Sequence, residues 1–210
     1  MTRALPLLVP LALLLLWQVA ASTGMIPPNV LPAPSAVLAA AWRLTLNGEL
    51  ARNLGVSAAR AVAGLVIGGG IGFALGLANG LSRWSERLSD STLQMLRNVP
   101  HLALIPLVIL WFGVGETAKL FLVALGVFFP MYLNTFHGVR SVDRRLIEMG
   151  RVYGMRGWRL FAQVILPGAL PSIFVGLRFA LGVMWLTLIV AETIAATSGI
   201  GHMAMQAREF

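Results

Sequence analysis

The stretch Glu148-Met-Gly-Arg-Val-Tyr-Gly154, with Val164-Ile-Leu-Pro167 ten residues beyond it, decides how this chain is read. It is basic, helix-patterned and set between two long apolar runs. Wound as helix, Leu146, Met149, Gly150 and Tyr153 share one face by their 3, 4, 7 spacing, and Arg144, Arg145, Glu148 and Arg151 share the other. Asp143 can cap the start and Gly154 can end it. Past Gly154 an apolar stripe restarts with Trp158, Phe161, Ala162 and Ile165, and Pro167 stands where a new helix can begin. The expectation is two short amphipathic helices joined by a glycine elbow. In a membrane protein such a loop is suited to gripping a soluble partner.

The rest of the chain places that loop at a membrane. Of 210 residues 58% are hydrophobic and 11% charged, with a mean hydropathy of +0.81, too apolar for a soluble domain of this size to cover its surface. Runs free of charge extend over 4–42, 61–82, 98–115 and 120–139, and 160–191 is broken only by Arg178. Each is near or above the roughly 18 to 20 residues that span about 30 Å of hydrocarbon as helix. The fold class expected is all-α and polytopic, with five spans. Residues 1–24 form the first, 25–53 an outer connection carrying an interfacial helix, and 54–210 the transmembrane core, with the basic loop at 141–166.

Net charge is +8, but the arginines sit in short clusters between spans and no polar domain presents them to nucleic acid. Topology accounts for them. With the N-terminus inside, Arg3, Arg83, Arg87, Arg97, Arg140, Arg144, Arg145, Arg151, Arg156 and Arg159 are cytoplasmic; Arg43, Arg52, Arg60, Lys119 and Arg208 lie outside or at the outer edge. That is ten against five, as the positive-inside rule requires. Residues 1–21 also resemble a cleavable secretory signal, through Arg3, the apolar run to Leu16 and Val19-Ala20-Ala21. Retention of the span is expected, because the other loops obey the charge rule with it kept.

Within the second span Gly64, Gly68, Gly72, Gly76 and Gly80 recur every fourth residue, a ladder that lets another helix approach backbone to backbone. Packing is the expected role; lining a substrate path is the alternative. Ser82 to Arg97 reads as an inner loop, and Pro100 and Pro106 imply a bent or late-starting third span. His101 beside Pro100 is expected to be a hydrogen-bonded interface residue rather than a titrating one. In the last span Arg178, Trp185 and Glu192 are seven apart, so the stripe is expected to face protein or water. Arg178 and Glu192 stand about 21 Å apart along a helix and cannot pair with each other. A pathway role for either is open beside a structural one.

Several chemistries find no support. The only lysine, Lys119, follows Ala118, so no phosphate-binding GxxxxGK[ST] loop can be written. His101, His137 and His202 lie on separate segments without carboxylate spacing, and no metal site is expected. No nucleophile, base and orienting acid form a defensible set, so no catalytic residue is expected. With no cysteine there is no disulfide.

The loop resembles the EAA motif of the permeases of ABC importers: EAA, three residues, Gly, nine residues, then I-x-L-P. Glu148, Gly154, Val164, Leu166 and Pro167 match in register, with Val164 in place of Ile and Met149 and Gly150 in place of the two alanines. Further stretches, Gly80-Leu-Ser-Arg-Trp84, Gln94 to Pro106, Trp111-Phe-Gly113, Val164 to Ser172 and Met184 to Thr193, are similar to the aliphatic sulfonate branch of that family, relatives of which import taurine or nitrate. The resemblance runs from about Leu31 to Phe210. It implies a type I importer permease of six spans, so the last is expected to be missing here. It also implies a bacterial inner-membrane location, a second permease copy, an ATP-binding subunit that holds ATP and Mg, and a periplasmic sulfonate-binding protein. On this reading Glu148, Met149, Gly150, Tyr153, Gly154, Val164, Leu166 and Pro167 couple the permease to the ATPase. Glu148 pairs either with Arg144 or Arg151 or with an arginine of the ATPase. A proton-driven carrier using Glu192 and His101, or a membrane scaffold, are the readings from other classes.

Overall fold

A computed structural model of the chain describes residues 5–27 and 30–209; Arg3 and Phe210, named above, lie outside the described residues. The described residues are helical apart from short connections. Contacts divide the chain into two units, Met1–Asn53 and Leu54–Phe210.

In the first unit α1 (Leu5–Ser22) is apolar and exposed along Leu7–Leu16, as a lipid-facing helix is. After the proline-rich turn comes α2 (Pro34–Leu46), whose start is held by Gln18: its amide nitrogen donates to Ser35 Oγ at 3.2 Å and its amide oxygen accepts from the Ser35 N–H at 3.1 Å.

The boundary between the units falls inside α3 (Glu49–Gly64), which continues through a π-helical turn at Leu65–Gly69 into α4 (Gly70–Leu81), a 33-residue helix in all. Next come α5 (Arg83–Arg97), a 3₁₀ turn at His101–Leu104, α6 (Ile105–Phe112) and α7 (Glu116–Arg140). The loop segment forms α8 (Arg144–Val152) and α9 (Gly157–Leu160); a second π turn, Phe161–Ile165, leads into α10 (Leu166–Ala195), and α11 (Ile200–Glu209) follows.

The core of the second unit is a sandwich with α7 in the middle, α4 on one side and α10 on the other. Val123, Val127 and Met131 of α7 meet Ala61 from one flank and Ala180, Met184 and Leu188 from the other. Small residues set the α4–α7 spacing. A Cβ on Gly72 would stand 2.5 Å from the Phe128 carbonyl oxygen, one on Gly76 2.7 Å from that of Tyr132, and one on Gly80 2.7 Å from Val139 Cβ. Gly64 and Gly68 face Val123 and the Ala124 backbone in the same way. All five glycines of the ladder therefore lie on one seam, where backbone dispersion contacts replace the hydrophobic drive that lipid removes.

Two expectations need correction. Ser82 to Arg97 is not a loop: Ser82 Oγ accepts from the Ser85 N–H at 3.3 Å and caps α5. The segment over 98–115 is bent and starts late, as Pro100 and Pro106 imply. Pro100 cannot donate to a helical ladder and pushes Val99 out of the helical region, so α5 and the His101–Phe112 segment meet at 79°. The eight residues of α6 reach only about 12 Å. Among the described residues three helices are long and apolar enough to cross a membrane, 49–81, 116–140 and 157–194; a fourth is reached only when α5 and the His101–Phe112 segment are counted together as one span, and α1 at 18 residues is shorter. The second correction is that Pro167 does not begin a separate helix. Residues 157–194 are continuous, and the π turn just before Pro167 widens the helix where its ring and missing N–H would break a regular turn.

Candidate functional site

Two places in the second unit carry the functional candidates, at opposite ends of α7. The first is the α8 loop. Asp143 Oδ1 accepts the Arg145 N–H at 2.9 Å and starts α8. Gly154 ends it at φ +77°, a conformation any L side chain adopts only at a cost of about 1–2 kcal/mol. Gly150 is buried against Leu160, where a Cβ would stand 2.8 Å from Leu160 Cδ1; this contact and half-buried Ile147 seat α8 on the helix ends beneath it. The remaining apolar groups point away from the chain. Leu146 and Met149 are about half exposed, Tyr153 and Trp158 are 76% exposed and Val152 is 86% exposed. Val164, Leu166 and Pro167 lie in the continuous helix, Val164 3.2 Å from a Cβ placed on Gly150. Glu148 is exposed and pairs with neither Arg144 nor Arg151, so the local ion pair is absent among the described residues.

The second place is a charge cluster at the far end of α7. Glu192 is 1% exposed; both its oxygens accept from Ser57 Oγ at 2.8 Å, Oε1 accepts from Arg60 Nη1 at 2.7 Å, and Oε2 from the Gly201 N–H at 3.0 Å. Arg60 also makes a two-pronged pair with Glu116, Nε and Nη2 each donating at 2.6 Å, and donates to the Ser198 carbonyl at 2.7 Å. Lys119 Nζ reaches Glu116 Oε1 at 2.9 Å, and the Ile200 N–H donates to Ser57 Oγ at 2.9 Å. The cluster clasps α3, α7, α10 and the start of α11 together. Arg60, Lys119 and Glu192 are buried, and charges so placed persist only when paired and hydrogen-bonded, as these are; Glu116 stands at the exposed edge of the cluster.

The stripe on α10 is thereby split. Glu192 is enclosed by the clasp, Trp185 packs partly buried on the core, and Arg178 is exposed beside an apolar groove of about 650 Å³ lined by Val175, Phe179, Gly182, Val183 and Leu186. No carboxylate pairs with Arg178 among the described residues. His101 Nε2 lies 2.9 Å from Thr187 Oγ1, joining the start of α6's segment to α10. Among the described residues no three His, Asp or Glu side chains are grouped to hold a metal.

Sequence reading missed the clasp partners Ser57, Arg60, Glu116 and Ser198. The available signal was depth: Arg60, Glu116 and Glu192 come level when the spans are laid side by side. It also missed Asn79, fully buried, which donates to Tyr132 Oη at 2.9 Å and Ser89 Oγ at 2.7 Å and accepts from Ser85 Oγ at 2.5 Å, tying α5 to α4 and α7.

The apolar helical core with its short helix on the α7–α10 connection defines a helical integral membrane protein, and its sequence relatives give the family. Residues 68–210 match the binding-protein-dependent transport system inner membrane component, and the chain belongs to that family. It is 62% identical over 208 residues to the putative aliphatic sulfonates transport permease protein SsuC of Escherichia coli (strain K12), covering 99% of this chain and 79% of that one. It is 46% identical over 204 residues to the protein of the same description from Bacillus subtilis (strain 168), covering 97% and 74%. Identity to the taurine transport system permease protein TauC of Escherichia coli (strain K12) is 38% over 203 residues, covering 94% and 74%.

Proposed function

We propose that this chain is the permease subunit of an ATP-driven importer that carries aliphatic sulfonates across the inner membrane. The observation that carries the reading is the exposed apolar patch of Leu146, Met149 and Val152 on α8, Tyr153 at its end and Trp158 on α9, with α8 anchored to the core through Gly150. An apolar surface of that kind, ringed by arginines and fixed to a spanning helix, fits a groove on a soluble subunit. The sulfonate reading is supported by the 62% identity to the Escherichia coli relative.

In this mechanism a separate subunit binds ATP with its Mg and closes, and α8 is displaced with it. The displacement reaches α10 because α8 rests on Leu160 at the base of the same helix. A packed contact has discrete arrangements, so movement passes through it as a switch. The clasp at the opposite end fixes α3, α7 and α10 as one body at the outer face. Arg178 is the pathway cation, offering a guanidinium to a sulfonate oxygen pair across the apolar groove. A second copy of the chain closes the far wall, and a periplasmic binding protein delivers the anion.

The test is ATP-dependent uptake of an alkanesulfonate into proteoliposomes containing the chain, its ATP-binding subunit and the binding protein. Gly154→Val strains the turn that sets α8 and is expected to leave ATP hydrolysis running without proportionate uptake. Full coupling in that variant rejects the role assigned to α8.

A further inference from the structure

We infer that α5 lies in the cytoplasmic lipid surface and, with α8, holds the headgroup of an anionic phospholipid. The site is a cleft of about 360 Å³ between the start of α5 and α8, lined by Arg83, Arg144, Ile147, Glu148 and Arg151. Three guanidinium groups there face a single carboxylate, and none of the four forms an ion pair among the described residues. Glu86 offers no relief to Arg83, because it pairs with Arg140.

The neighbouring face of α5 indicates that the anion comes with acyl chains. Trp84, Leu88 and Met95, at spacings of 4 and 7, form one stripe pointing away from the chain, and they are 73–74% exposed. The opposite face holds half-buried Ser85, Glu86, Ser89 and Leu93. Arg83 and Arg87 border the apolar stripe. The helix stands at 79° to the His101–Phe112 segment, the posture of a helix lying in the interface beside one that enters the bilayer. An apolar stripe at acyl depth, a tryptophan at headgroup level and an arginine border match an anionic lipid leaflet.

This face of α8 differs from the one proposed to dock the ATPase. Arg144, Glu148 and Arg151 turn toward Arg83, whereas Leu146 and Met149 turn away. The inference rests on the permease reading only for which end faces the cytoplasm.

The test uses the complex of the chain with its ATP-binding subunit in nanodiscs of phosphatidylethanolamine with either phosphatidylglycerol or phosphatidylcholine. Because the chain lacks cysteine, Leu88→Cys gives its only attachment point for a nitroxide. Expected is a label accessible to dissolved oxygen and shielded from an aqueous nickel chelate, with or without the ATP-binding subunit. Phosphatidylglycerol should also remain on the detergent-extracted complex in native mass spectra. Arg83→Gln should reduce that retention roughly five-fold, and Arg83→Lys should largely keep it. The proposal is overturned if the label is shielded only when the ATP-binding subunit is bound, which makes the face a protein contact. It is equally overturned if Arg83→Gln retains phosphatidylglycerol unchanged, or if inorganic phosphate alone displaces it, which makes the cleft a free-anion site. ATP-dependent uptake by the wild-type complex, measured separately, tells a failure of this inference from a failure of the permease reading.

Discussion

Replacing Glu192 with alanine removes the carboxylate that Ser57, Arg60 and the Gly201 N–H all address at 2.7–3.0 Å. Breaking a buried ion pair from one side costs about 3–5 kcal/mol. Here the lower end applies, because Arg60 keeps its two-pronged pair with the more exposed Glu116 and is not left without a counter-charge. The buried Ser57 hydroxyl and Gly201 amide then lose their acceptor, at about 1–3 kcal/mol for an unmet group, a cost contained within the same range. A loss of about 3 kcal/mol corresponds to a fall in Tm of about 6–12 °C for a chain of this length. The assay is thermal unfolding of the complex in nanodiscs, followed by tryptophan fluorescence, with Glu192→Gln alongside. Glutamine keeps one acceptor oxygen and loses the charge, so its Tm should fall about half as far. A Glu192→Ala Tm within about 2 °C of wild type refutes the clasp as a stabilising element.

The remaining predictions concern the seam, the inner polar network and the pathway. Gly72→Leu places side-chain atoms where the Phe128 carbonyl stands 2.5 Å from a Cβ, backbone that cannot step aside, so the variant should fail to yield folded protein by size-exclusion chromatography; Gly70→Leu, which meets no atom within 4 Å, should yield it normally. Asn79→Leu strips Tyr132, Ser85 and Ser89 of their shared partner and should cost about 2–3 kcal/mol in the same unfolding assay, with α5 becoming the first segment cut in limited proteolysis. Arg178→Gln should lower sulfonate uptake at least ten-fold, the scale of one charge-assisted pair, while leaving assembly intact by chromatography; unchanged uptake removes Arg178 from the pathway.

What could be read from the residues, and what could not, divides along physical lines. The glycine ladder was legible because an every-fourth-residue repeat has one geometric consequence, a flat face, and the structure lays all five glycines on α7. Asp143 and Gly154 mark the ends of α8 in either source, since capping depends on local chemistry. By contrast α5 was hidden: hydropathy averages over a strongly two-sided helix, and Arg83, Glu86, Arg87, Asp90 and Arg97 made it resemble a loop. Pro167 misled because a proline signals a helix start unless a π turn absorbs it, and that turn has no sequence signature of its own. The clasp depends on residues as far apart as Ser57 and Glu192, 135 positions in sequence, so no local pattern exposes it. For the α10 stripe periodicity predicted a shared face, but α11 and the α3 side chains cover its Glu192 end and leave Arg178 open.

The most direct measurement of the central claim is alkanesulfonate uptake into proteoliposomes with the binding protein and ATP present, comparing vesicles that carry the ATP-binding subunit with vesicles that lack it, and including Val152→Glu. Placing a carboxylate at the most exposed apolar point of α8 should weaken docking. Uptake should be confined to vesicles holding the ATP-binding subunit and should fall by at least ten-fold in the variant, the scale of losing an interface anchor. Undiminished uptake without that subunit, or by Val152→Glu with it, contradicts a permease driven through α8.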